Sequence, residues 1–138
     1  MKRLLFFLIM LHLVLTTLST FAMGERMDPT RRRPAKLLME VREIDLGEVR
    51  SDDPMKSVKF TFTNIGEQDL LITSTSTGCA CTTVQHPKKP VQPGKKGEIQ
   101  VTYDGTAQPA GSFRKAIMVY SNDARNYTRI FIKGVRVR

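Results

Sequence analysis

Between Ser57 and Thr63 the chain alternates without a fault, with Val58, Phe60 and Phe62 on one side and Lys59, Thr61 and Thr63 on the other. Period two over such a run belongs to a β-strand with one dry face and one wet face. A strand of this kind is not stable alone. It needs neighbours along its edges and a second layer over its apolar face. The rest of the chain therefore has to supply more strands.

It does so at short intervals. Leu37 to Val41 alternates, and Ile44-Asp45-Leu46-Gly47 continues as a short extended piece. Asn64-Ile65-Gly66-Glu67 is turn chemistry, and Leu70 to Thr75 is read as a strand returning beside Ser57–Thr63. Glu98 to Tyr103 points Ile99, Val101 and Tyr103 inward, and Phe113 to Ser121 puts Phe113, Ile117 and Val119 on one face. Tyr127 to Val137 is the last strand. A bulge is expected at Gly134, because the apolar face passes from Ile130 and Ile132 to Val135 and Val137. Ser51-Asp52-Asp53-Pro54, Pro93-Gly94 and Ser121-Asn122-Asp123-Ala124 punctuate these runs, the proline-then-glycine order predicting a type II turn. No segment carries helical period. The fold class that follows is all-β: an immunoglobulin-like antiparallel β-sandwich of about seven strands in about 100 residues. There is no tryptophan, and the only two cysteines lie one residue apart, so they cannot bridge the sheets. The antibody variety is excluded, and the core is expected from Phe, Val, Ile and Leu.

Ahead of the strands the chain changes character. Lys2 and Arg3 precede an uncharged run from Leu4 to Leu18 and then Thr20-Phe21-Ala22, the pattern of a secretory leader cut after Ala22. The competing reading is an uncleaved membrane anchor, for which the run is short. No cysteine follows the cut site to take a lipid. Residues 23–36, with Arg31-Arg32-Arg33-Pro34, read as a flexible basic linker, leaving 37–138 as the domain. Export implies a periplasmic or extracellular protein, or one tethered by its leader. A formal net charge of +9 in the cytoplasm would suggest nucleic acid. Outside it the expected partner is an unknown protein or an anionic cell-envelope surface, and no nucleic acid. Solvation of strand faces by lysine and arginine is the plainer explanation of the charge.

Cys79 and Cys81 are the chemically distinctive pair, in Thr77-Gly78-Cys79-Ala80-Cys81-Thr82-Thr83. In an extended strand their α-carbons would lie about 6–7 Å apart, at the limit for a disulfide, so a bridge within the pair needs a bent backbone. Such a bond would suit a redox role. The two thiolates with His86 are the alternative, a candidate metal site for copper or zinc. A closed zinc site would lack its fourth ligand. Pairing with a partner's thiol is open too, as is plain packing of two small residues at a strand edge. Glu40, Glu43, Asp45, Glu48, Glu67, Asp69, Glu98 and Asp104 fall at turns or outward positions, and neither cysteine has a third group to orient His86 as a base. The chain reads as a non-enzyme without a cofactor.

Several of these pieces together resemble a known family. Phe60-Thr61-Phe62-Thr63-Asn64-Ile65-Gly66, Cys79-Ala80-Cys81-Thr82, Val91-Gln92-Pro93-Gly94-Lys95-Lys96-Gly97 leading into Ile99 to Asp104, Gly111 to Lys115 and Ile132-Lys133-Gly134 are similar to the bacterial secreted family known as domain of unknown function 1573. The resemblance covers nearly all of residues 37–138. It implies an immunoglobulin-like sandwich related to the ASH and major-sperm-protein domains, and it implies export. It brings no reaction. Members usually carry Cys-Gly-Cys-Thr, and here Ala80 stands at the glycine. A loop needing a positive backbone angle at that place would resist alanine.

Overall fold

The computed structural model describes residues 32–138. Eight strands form two four-stranded sheets. They are β1 (Leu37–Met39), β2 (Glu43–Val49), β3 (Met55–Asn64), β4 (Ile72–Thr77), β5 (Thr82–Gln85), β6 (Lys96–Asp104), β7 (Gly111–Ser121) and β8 (Tyr127–Arg136). The first sheet runs β1-β3-β6-β5 and the second β2-β8-β7-β4. Among the described residues no helix is long and apolar enough to cross a membrane.

The alternation in β3 does what its pattern dictates. Phe60 and Phe62 are fully buried, and so are Ile99 and Val101 on its neighbour β6. From the other sheet Ile117, Val119, Ile130 and Ile132 close over them. The core also takes residues outside the expected four types. Tyr103 is 1% exposed and stacks on Phe113 of the opposite sheet, with ring centroids 4.3 Å apart. Gly97 faces Phe62 across the β3–β6 pair, and a Cβ there would run into that ring.

The all-β two-layer sandwich is as expected, and four details within it are corrected. The sandwich is mixed, because β2 runs parallel to β8 while every other strand pair is antiparallel. The chain reaches that arrangement by leaving the first sheet after the short β1 and joining the far edge of the second. The strand after the Asn64 turn does not return beside β3. β4 crosses to the other sheet and pairs with β7, while β3 keeps β1 and β6 as neighbours. Leu70 and Leu71, ahead of β4, belong to the crossover, where Leu70 makes an isolated bridge with Val91.

Nor is β8 broken at Gly134. Ile130, Ile132, Gly134 and Arg136 all point inward and Val135 outward, so period two holds to the end. Gly134 is there for close approach: a Cβ would lie 2.8 Å from the Gly47 carbonyl and 2.9 Å from the Phe113 ring. The irregularity sits across from it, in β2, where Gly47 adopts φ 66° and the register slips between Asp45 and Glu48.

Last, the basic segment ends sooner than residue 36. Arg33 pairs with Glu67, Ala35 is 2% exposed, and the Ile65 amide donates to the Lys36 carbonyl. Gly66 permits this seam, since a Cβ there would stand 2.6 Å from the Lys36 nitrogen. The leader and residues 23–31 lie outside the described residues. The Gln92–Lys95 turn matches its expectation: Lys95 donates to the Gln92 carbonyl and Gly94 has φ 74°.

Candidate functional site

Each sheet has two edges, and the four differ in how they are guarded against further pairing. Strands blunt an edge by being short, by carrying charge, by bulging or by proline. β1 is three residues long, and side chains occupy its backbone: the Leu37 amide donates to Asp123 Oδ2 at 2.8 Å, and Arg125 donates to the Leu37 carbonyl at 2.7 Å. β2 carries Glu43, Asp45 and Glu48 and is bulged. β5 is four residues long and runs into His86-Pro87.

β4 has only one of these devices, a register shift against β7 between Ile72 and Ser74. Its six residues, Ile72-Thr73-Ser74-Thr75-Ser76-Thr77, hold no charge and no proline. Among the described residues, the backbone of Thr73–Ser76 bonds only to β7. Alternate amides and carbonyls of an edge strand point away from its neighbour, so over Ser74–Thr77, where the pairing with β7 is regular, β4 presents donors and acceptors with no charge or proline to guard them. Thr73, Ser74 and Ser76 are exposed along it.

The cysteine pair closes the end of this edge. After Gly78 the chain turns from β4 into β5, that is, from one sheet to the other, and Thr82 donates to the Cys79 carbonyl at 3.1 Å. That reverse turn brings the two cysteine α-carbons to 5.1 Å, inside the reach of a disulfide, and the sulfurs are bonded. The bent backbone that a bridge needs is thus supplied by the β4–β5 crossing itself. Cys81 is buried, with its carbonyl accepting from Asp104 at 2.8 Å, and Thr77 Oγ1 donates to the Cys79 carbonyl at 3.0 Å. Ala80 does not have a positive φ, so alanine fits this turn without the strain considered above.

His86 is elsewhere. It follows β5, whereas Cys81 precedes it. At strand rise their α-carbons stand about 16 Å apart. Its Nδ1 lies 3.1 Å from the Pro87 carbonyl and its Nε2 3.3 Å from Lys88 Nζ. Cys79, Cys81 and His86 are therefore not brought together, and both sulfurs are already engaged in the disulfide.

A loop of three residues limits what the bridge adds to stability. On the chain-entropy account its closure is worth about 1–2 kcal/mol. The C79S/C81S double variant is therefore expected to fold and to melt about 5–10 °C lower in a calorimetric scan. Loss of the folded transition would show instead that the bridge holds the sandwich together.

Two polar centres beneath the surface escaped the sequence reading. Asn64 is fully buried, and Asp123 is 5% exposed. Burial alone would raise the Asp123 carboxyl. The hydrogen bond from the Arg125 side chain, those from the Arg125 and Leu37 amides, and the Arg125 charge outweigh it and hold the group at about 2. The Asn64-x-Gly66 spacing was legible as a turn but not as a buried node. Nothing in the sequence separates Asp123 from the other loop acids.

The profile of the family described as "Protein of unknown function (DUF1573)" matches residues 37–136. The chain belongs to the DUF1573 family. No curated protein matches it. Among solved structures, a Porphyromonas gingivalis protein of unknown function superposes with a TM-score of 0.65 at 19% identity, over 73% of this chain and 46% of that one. The ASH/PapD-like domain 7 of human CEP192 superposes at 0.61 and 9% identity, over 76% and 87%. The secreted serine protease VesC of Vibrio cholerae superposes at 0.55 and 15% identity, over 72% of this chain and 23% of the protease. This DUF1573 chain thus spans less than half of the first and under a quarter of the last. At these identities the likeness is one of fold.

Proposed function

We propose that this chain is an exported, non-catalytic binding domain that takes an extended segment of a partner protein onto the β4 edge. The observation that carries the reading is the contrast among the four edges: β1 is capped by side chains, β2 is charged and bulged, β5 is short, and β4, irregular only between Ile72 and Ser74, is uncharged and exposed over its remaining length. Strand addition draws its affinity from main-chain hydrogen bonds, which such an edge offers in a row. The disulfide turn pins the end of β4 at its crossing to the other sheet. The carboxylates favour binding over acid–base chemistry, since most are held in ion pairs, such as Glu40 with Lys96, Glu43 with Arg114 and Glu98 with Lys59.

Site-specific photocrosslinking in the native cell tests it. A benzophenone side chain at Ser74 is expected to capture one protein, and the same probe at Thr61, on the outer face of the first sheet, is expected not to. Placing lysine at Thr73 and Ser76 guards the edge and is expected to abolish the capture. Equal capture from Ser74 and Thr61, or capture that survives the lysines, contradicts the reading.

A further inference from the structure

The outer face of the second sheet is divided in a way that neither the fold nor the β4 edge requires. Down β8 its outward residues are Tyr127, Arg129, Phe131, Lys133 and Val135, and across from them on β7 stand Tyr120, Met118, Ala116, Arg114 and Ser112. One half of this face neutralises itself. Arg114 bonds Glu43 at 2.7 Å, and Lys133 lies 3.3 Å from Glu43 and 3.9 Å from Asp45.

The other half does not. Arg42, just before β2, and Arg129, near the start of β8, are exposed and meet no carboxylate among the described residues. Arg129 Nε contacts only the sulfur of Met118, at 3.4 Å. Arg125 adds a third guanidinium whose charge is shared with Asp123. These arginines line a shallow depression of about 580 Å³ together with Tyr127, Thr128 and Phe131. Of the two rings, Phe131 already carries the Arg114 guanidinium 3.6 Å from its centroid. Tyr127 is 47% exposed, and Tyr120 on β7 packs beside it at a tilt of 53°, with centroids 6.2 Å apart.

We propose that this depression binds an acidic polysaccharide: a uronate-type carboxylate on Arg42 and Arg129, with the neighbouring sugar ring lying against Tyr127. Two guanidinium forks without a carboxylate partner match carboxylates in bidentate geometry. An aromatic ring with one open side offers a flat apolar platform beside a polar rim, which suits a sugar ring with its own polar edge. The depression is too short for a strand of nucleic acid, which needs a basic track several nucleotides long. Here the track stops, at the neutralised Lys133 in one direction and at uncharged Met118 and Ser76 in the other. One open ring is also too little apolar area to enter a bilayer. The site is separate from the β4 edge, and either can fail without the other.

Binding of the full chain to polygalacturonate, measured by calorimetry in about 0.15 M salt where surface steering is damped, tests the proposal. The R42A/R129A variant is expected to weaken binding at least about tenfold, because two charge-assisted contacts go. Y127A, which leaves the charge unaltered, is expected to weaken it about fivefold. K88A/K89A removes the same charge from an exposed loop and is expected to change it less than about twofold. Neutral dextran is expected not to bind. Equal losses from the arginine and lysine pairs would mean non-specific attraction to a basic protein and overturn the site. So would absence of binding to polygalacturonate, an unaltered affinity in Y127A, or tighter binding of single-stranded oligonucleotide or phosphatidylglycerol vesicles through the same residues. Thermal melts of each variant separate lost binding from lost folding.

Discussion

Replacing Asn64 with leucine is expected to cost about 3–5 kcal/mol and to lower the melting midpoint by about 15–25 °C, as much as truncating a core phenylalanine. The side chain is fully buried and uses both ends of its amide. Oδ1 accepts from the Gly66 amide at 3.0 Å and the Lys36 amide at 3.3 Å, while Nδ2 donates to the Gln68 carbonyl at 2.8 Å and the Val91 carbonyl at 2.9 Å. One residue thus ties the entering chain, the turn after β3 and the crossover before β6. Leucine has nearly the same shape and can satisfy none of them. Several backbone groups would be left dry and unpaired, which costs more than the bonds themselves contribute. Urea unfolding checks it, and a loss under 1 kcal/mol would mean that water or rearrangement replaces the amide.

Asp123 is expected to give the second largest effect, and a pH signature with it. Its carboxylate receives the Leu37 amide at 2.8 Å, the Arg125 amide at 2.9 Å and the Arg125 guanidinium at 2.9 Å, so it holds β1 against the turn between β7 and β8. Asp123→Ala is expected to cost about 3 kcal/mol at pH 7, since a buried amide and half of an ion pair lose their partners. The group's pKa falls from an ordinary 3.8 to about 2 in the folded protein. A depressed carboxyl contributes stability that is fully present above its unfolded pKa and is lost as pH falls through the folded one. Stability is therefore expected to decline between about pH 4 and pH 2, with about 1–2 kcal/mol of the decline from this group, because the half-exposed Arg125 partner screens the pair. The alanine variant should show a correspondingly shallower acid limb, while an unaltered limb would place the acid sensitivity elsewhere.

The strands were legible because their side chains repeat with period two, and β3, β6 and β7 bury the residues that this period selects. What period two cannot carry is partnership. Leu70–Thr75 looked like the second arm of a hairpin, yet β4 pairs across the sandwich with β7, a choice made by the whole topology rather than by the turn at Asn64. The same holds for β2, whose parallel pairing with β8 has no local signature. At Gly134 the sequence shows a change of apolar face, whereas Arg136 in fact turns inward and satisfies its guanidinium on the Gly105 carbonyl at 2.8 Å and Ser51 Oγ at 3.1 Å. A buried arginine held by carbonyls looks, in sequence, like a solvated one. The cysteine pair is distinctive in the sequence itself, being the only two cysteines and one residue apart. Its disulfide depends on a reverse turn that the β4–β5 crossing supplies, and the length of β5 puts His86 out of reach.

The openness of β4 can be read directly by amide hydrogen exchange across Thr73–Thr77, in the free protein and in its crosslinked complex. Alternate amides of β4 should exchange quickly in the free protein and become strongly protected in the complex, while Glu43–Val49 on the opposite edge stays as it was. Slow exchange of every β4 amide in the free monomer, or protection appearing at β2 or β5 instead, would contradict strand addition at this edge.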